Sequence, residues 1–98
     1  MDKEQLIDAI AAKTGFTKRS CRTFLEAFTG TVTDALSLGD YVKIVGFGNF
    51  KTEFRRSRVG RDKTTEKRVV IPPRVVPVFT PGKLLKDRVM EGVHYDGR

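Results

Sequence analysis

One basic stretch, residues 51–76, limits how this chain can fold. Its pattern is typical of a long two-stranded hairpin with almost no core of its own. Nine lysines and arginines stand there against three acidic residues, a net charge of +6 in a chain whose total is +7. The other 72 residues therefore carry only +1. Such a segment contributes little to folding and suits a polyanionic ligand, so the core must come from the rest of the chain.

The length of the chain indicates how that core is completed. Its 98 residues are enough for one domain. Roughly 70 of them lie outside the hairpin, a size at which a monomer needs disulfides, a metal or a partner subunit. Cys21 is the only cysteine and His94 the only histidine, so we expect neither an internal disulfide nor a metal site. We predict oligomerisation, and no cofactor.

The sequence also bears on where the protein is found. The N-terminus lacks a basic region followed by an apolar run, and no apolar run has the length that spans a bilayer. We therefore expect a soluble protein in a reducing cytosol, with no membrane partner.

Two helices are predicted at the N-terminus. Asp2 and Gln5 form a capping-box pattern at the start of the first, which Gly15 ends. Thr17 caps the second, whose apolar stripe runs for about five turns until Gly39. The stripe consists of Cys21, Phe24, Leu25, Phe28, Val32, Ala35 and Leu36. Because the short first helix cannot cover it, we expect the second helix to pack against a second copy of itself.

Two β-segments follow, at residues 41–45 and 49–59, separated by the turn Gly46-Phe47-Gly48. A polar tip at residues 60–67 leads into a returning strand that contains Pro72, Pro73 and Pro77. Because proline cannot donate to a ladder, these residues predict edge positions or bulges.

A last helix is predicted from its start signal. Thr80 is the expected N-cap and Pro81 the first helical residue, with Leu84, Leu85 and Val89 packing down. We expect a frayed tail from residue 92 onward.

Three motifs at matching spacing resemble the HU and integration host factor family of bacterial nucleoid proteins. They are Val45-Gly46-Phe47-Gly48-Asn49-Phe50, Arg58-Val59-Gly60-Arg61, and Val76-Pro77-Val78-Phe79-Thr80-Pro81-Gly82-Lys83-Leu84-Leu85-Lys86. The resemblance implies an α+β fold: a helical base of two N-terminal helices, a three-stranded antiparallel β saddle with a long β-hairpin arm, and a C-terminal helix, in an intertwined dimer. It also implies a single domain over residues 1–98, with 1–50 and 77–91 as the dimerisation body and 51–76 as the DNA-binding arm.

The same resemblance, together with the charge pattern, assigns candidate DNA contacts. Proteins of this family are known as minor-groove architectural proteins, whose arms reach around the duplex. The candidates are Arg55, Arg56, Arg58, Arg61, Lys63, Lys67, Arg68 and Arg74 of the arm, with Lys83 and Lys86 of the last helix. The alternative is a solvated charged face, but solubility does not require so uneven a distribution. Lys83 lies in a first helical turn, where the helix dipole disfavours a cation, so a bound phosphate would explain it and a solvated lysine is the alternative.

Apolar residues of the body are assigned to packing. The uncovered stripe of the second helix assigns Phe28 and Val32 to the dimer core, and the resemblance places Phe47, Phe50 and Phe79 there as well. For the last three, base stacking as in single-strand binders is the alternative. Cys21 is expected to be a small core residue, and His94 is assigned no role.

The tip departs from the family, whose usual sequence there is Gly-Arg-Asn-Pro-x-Thr-Gly. This chain has Gly60-Arg61-Asp62-Lys63-Thr64-Thr65-Glu66. Lys63 therefore stands where the family has the proline that wedges between base pairs, and Glu66 stands where it has the turn glycine. Asp62 and Glu66 also bring negative charge near phosphates. Without a wedge, binding is expected to depend on phosphate neutralisation and on bends that the DNA already has.

These observations favour an architectural protein that binds double-stranded DNA with little sequence specificity, as a homodimer, in the nucleoid. One alternative is a subunit similar to integration host factor, which needs a paralogous partner chain. An alternative of another class is an RNA-binding protein, because a basic β arm also suits A-form RNA. No nucleophile, base or metal constellation can be assembled from these residues, so an enzyme is not expected.

Overall fold

The structure is a computed structural model that describes residues 1–94. The chain divides into two compact units, Met1–Ala35 and Leu36–Arg98. The frayed tail predicted from residue 92 lies mostly outside the described residues, because residues 95–98 are not among them.

The helices at the N-terminus begin and end where the sequence predicts. Helix α1 spans Lys3–Thr14 with the capping box between Asp2 and Gln5 in place, and Gly15 closes it in the left-handed conformation at φ 77°. Helix α2 spans Lys18–Ser37, and the Ser20 N–H donates to the Thr17 hydroxyl oxygen over 3.1 Å. Thr17 is therefore the cap of α2, as predicted.

Ion pairs join α1 to α2. The Arg22 guanidinium donates to both carboxylate oxygens of Glu4, at 2.6 and 2.7 Å, and Lys3 lies 2.9 Å from Glu26. This hydrogen bond from Arg22 holds the pKa of Glu4 below its ordinary value and raises the pKa of Arg22. Lys3, Glu4 and Glu26 are exposed to solvent and Arg22 is half-buried, so these ion pairs orient the helices more than they stabilise them.

A hydrophobic core is nearly absent from the single chain. Within residues 1–94, Ile7 and Cys21 are the only buried hydrophobic side chains. Cys21 is thus a small core residue, as predicted. On the stripe of α2, by contrast, Phe24 is 61% exposed and Phe28 43% exposed. Part of the apolar stripe that the sequence predicts on this helix is therefore exposed to solvent in the described residues.

The second unit contains a three-stranded antiparallel sheet. Its strands are β1, Val42–Ile44, β2, Gly48–Arg55, and β5, Arg74–Pro81, in the order β1-β2-β5. The turn between β1 and β2 is the predicted one, with Gly46 at φ 86°. At Gly48 a Cβ atom would lie 2.6 Å from the ring of Phe79, so only glycine allows this close approach of β2 and β5.

The outer part of the arm is a separate two-stranded ladder of β3, Arg58–Arg61, and β4, Arg68–Ile71. The strand predicted at residues 49–59 is therefore interrupted at Arg56 and Ser57, level with Pro72 and Pro73 on the returning side. Pro77 lies on β5, an edge strand of the sheet. The edge position predicted for Pro77 is confirmed. Pro72 and Pro73 instead lie in a gap where neither strand is paired, and this gap follows from their missing N–H groups.

Helix α3 spans Lys83–Gly92, and its N-cap is Gly82. The prediction that Thr80 is the cap and Pro81 the first helical residue is wrong. Both residues belong to β5, where Thr80 pairs with Asn49 and Pro81 with Gly48. The Gly82 N–H then donates to the Phe47 carbonyl over 2.8 Å, which holds the start of α3 against the turn between β1 and β2.

Candidate nucleic-acid interface

The predicted cations are distributed along the whole arm. Arg55 ends β2, Arg56 lies in the interruption, Arg58 and Arg61 lie on β3, Lys63 and Lys67 on the tip, Arg68 on β4, and Arg74 at the start of β5. All eight are exposed to solvent. Lys83 and Lys86 lie on α3, away from the arm in sequence and also exposed.

The register of the strands places arginines opposite one another. Arg61 pairs with Arg68 across β3 and β4, and Arg55 pairs with Arg74 across β2 and β5. Arg58, by contrast, faces Ile71. Because side chains alternate between the two faces of a strand, Arg58 and Arg61 lie on opposite faces of the arm. Sequence reasoning missed these pairs, although the number of residues in the tip determines the register.

The tip is closed by its own hydrogen bonds. The Asp62 N–H donates to the Lys67 carbonyl over 2.8 Å, and the Glu66 N–H donates to the Asp62 carbonyl over 2.6 Å. Glu66 and Lys67 together therefore face Asp62, as in a G1 β-bulge, whose first residue is usually glycine. Glu66 occupies that place at φ 58°, the one described non-glycine residue with a positive φ. The Asp62 carboxylate accepts from the Thr64 N–H over 2.8 Å, so it serves the turn.

Two candidate cations have partners in the protein. Arg55 lies 3.2 Å from the Glu53 carboxylate, and Lys83 lies 2.7 Å from Asp87, one helical turn further on. Asp87 is thus an anion that compensates Lys83 in the first turn of α3, where the sequence suggested a phosphate. Lys83 is 88% exposed in its side chain, so the pair is weak and can exchange with a phosphate.

The aromatic residues of the sheet contact one another. The ring centroid of Phe79 lies 5.2 Å from that of Phe47 and 4.8 Å from that of Phe50, its cross-strand partner. This packing favours a structural role over base stacking. Their place in a dimer core, with Phe28 and Val32, stays a prediction.

Comparison with known proteins agrees with this arrangement. The family model described as bacterial DNA-binding protein matches residues 1–90. The chain belongs to this family. It is 43% identical over 89 residues to the DNA-binding protein HU of Thermotoga maritima, covering 91% of this chain and 99% of the relative. Identity to the HU protein of Geobacillus stearothermophilus is 42% over 89 residues, with the same coverage of both chains.

Solved structures of the family share the fold. An HU–DNA cocrystal structure from Anabaena has a TM-score of 0.85 and 40% identity, covering 91% of this chain and 97% of that one. HU from Thermotoga maritima has a TM-score of 0.65 and 34% identity, covering 91% and 98%. The predicted family and the α+β fold with helical base, β saddle and arm are thereby confirmed. In the part of the chain that the structure describes, no helix is long and apolar enough to cross a membrane.

Proposed function

We propose that this protein is an architectural DNA-binding protein of the HU type, which binds double-stranded DNA with little sequence specificity and bends or compacts it in the nucleoid. The observation that carries the proposal is the separate β3–β4 ladder, whose exposed arginines make no ion pair among residues 1–94. Neutralising phosphates with such cations releases condensed counter-ions and gives affinity without reading bases. The Anabaena HU relative was crystallised with DNA, which supports the same ligand here.

The proposed docking places the arm, residues 51–76, in the minor groove. A two-stranded ribbon with cations on both faces can meet the sugar–phosphate walls on either side. Lys83 and Lys86 on α3 would add phosphate contacts outside the arm. In this proposal the protein acts by holding DNA in shape, so no catalytic residue is assigned.

The proposed active unit is a homodimer with a formal charge of +14, twice the +7 of one chain. A second copy would cover the exposed Phe24 and Phe28 on α2. It would also offer a donor to the buried Asn49 Oδ1, which has no hydrogen-bond partner among residues 1–94. Residues 1–50 and 77–91 then form the dimerisation body.

Binding measurements with matched nucleic acids test this function. We expect the chain alone to bind unrelated DNA duplexes of equal length with similar affinity, and log K to fall linearly with log salt. An RNA duplex of that length should compete poorly. A preference for RNA would contradict the proposal, as would binding that appears only after a second, paralogous chain is added. Strong preference for one DNA sequence would favour the role of integration host factor instead.

A further inference from the structure

Arg61 and Arg68 form the outermost cross-strand pair of the arm. The hydrogen bond from the Asp62 N–H to the Lys67 carbonyl makes the next pair inward a non-hydrogen-bonded one. In such a pair the Cα atoms are about 4.5 Å apart and the side chains are close. Like charges directly opposite each other destabilise a ladder, so an anion bound between the two arginines would stabilise this pair.

The protein does not supply that anion. Neither Arg61 nor Arg68 makes an ion pair within residues 1–94, although Asp62 and Glu66 are close in sequence. The Asp62 carboxylate accepts from the Thr64 N–H, and Glu66 is held by the bulge geometry of the tip. The other arginine pair differs, because Arg55 has Glu53 at 3.2 Å as an internal counter-ion.

We propose that Arg61 and Arg68 of each arm grip one DNA phosphate between them. Guanidinium groups present donors in a planar fork that matches phosphate oxygens, and two of them around one anion remove the repulsion within the pair. This clamp rests on the proposed function and specifies its outermost contact. Arg58 faces Ile71, so it contacts its phosphate without a partner.

Salt dependence of binding distinguishes a shared phosphate from two separate ones. The full-length chain, its Arg61→Gln and Arg68→Gln variants, the double variant and Arg58→Gln are titrated with one plain duplex at several salt concentrations. Each phosphate interaction that is removed lowers the slope of log K against log salt by about 0.9, and a substitution in the chain acts on both arms of the proposed dimer. We expect the double variant to reduce the slope as much as Arg58→Gln alone does, and each single variant at the clamp to reduce it less. Arg88→Gln on α3 removes one charge from the chain, as each single variant does, but outside the clamp. It should leave the slope unchanged.

The alternative outcomes are distinct. A reduction of the slope in the double variant twice that of Arg58→Gln would mean separate phosphates and would overturn the clamp. An unchanged slope in the double variant would remove both arginines from the interface, which also overturns it. If the parent chain does not bind the duplex at all, the proposed function fails, and the clamp fails with it. Circular dichroism spectra of all variants matching the parent would show that differences in slope arise from binding.

Discussion

Glu66 occupies a backbone position that favours glycine. It takes a left-handed conformation, φ 58°, at the first position of a bulge where glycine fits without steric cost. The sequence shows that the family's glycine is missing, but it does not show which backbone conformation the tip then adopts. In the structure the chain keeps the turn and places a strained glutamate in it. The turn's hydrogen bonds, including the bond from Asp62 to Lys67, compensate the strain.

Replacing Glu66 with glycine should therefore stabilise the tip. We expect a gain on the order of 1 kcal/mol in the local opening free energy, because the steric cost of positive φ is removed. Hydrogen exchange at the Asp62 amide, which donates to the Lys67 carbonyl, measures that opening. Glu66→Ala is the matched control, since it removes the charge and keeps the strain. Equal protection in both variants would show that charge, and not backbone strain, limits the tip.

At the scale of elements, the sequence predicts most of the structure through periodicity and caps. Both N-terminal helices, the turn at Gly46 and the edge position of Pro77 follow from local signals. The prediction for Thr80 fails because a Thr-Pro pair also suits the end of an edge strand, and its pairing with Asn49 is a long-range contact that local patterns do not contain. The pairing of arginines in the arm is missed for the same reason, since it depends on register.

The tip of the arm has no apolar side chain between Arg61 and Arg68. Lys63 is a flexible cation that cannot hold two base pairs apart, so we expect the parent protein to bend a linear duplex only gently. Lys63→Pro should increase the bend, because it provides a rigid apolar wedge at a turn position that tolerates proline. Energy transfer between dyes at the two ends of a duplex measures the angle.

Lys63→Ala separates the wedge from the charge. It removes the cation without adding a ring, so the bend should stay close to that of the parent. If the parent already produces a sharp kink that Lys63→Pro leaves unchanged, another residue does the wedging, with Val69 and Ile71 on β4 as candidates.

At the scale of the whole molecule, the single chain exposes apolar surface that a stable protein covers. Phe28 on α2 and Phe50 in the sheet belong to the proposed dimer core, and replacing either with alanine should cost about 3 to 5 kcal/mol of folding free energy. A domain with the usual small margin of stability would then be largely unfolded.

Light scattering, together with melting curves at several protein concentrations, checks this prediction. An obligate dimer melts at a temperature that rises with concentration, because folding and association are one process. Val70→Ala is the control, since this side chain is 72% exposed on the arm and should change the melting temperature little. A stable folded monomer at micromolar concentration would contradict the obligate dimer.

The interruption of the arm at Arg56-Ser57 and Pro72-Pro73 separates the outer-arm residues proposed to bind DNA from those that stabilise the sheet. Ladder pairing ends at Arg55 with Arg74 and resumes only at Arg58 with Ile71. Residues beyond this gap share no ladder partner with the sheet, and mutations at independent sites have additive effects. Substitutions in the outer arm can therefore change the affinity for DNA with little change in the folding free energy of the body. The inner residues, which must pack, do not have that freedom.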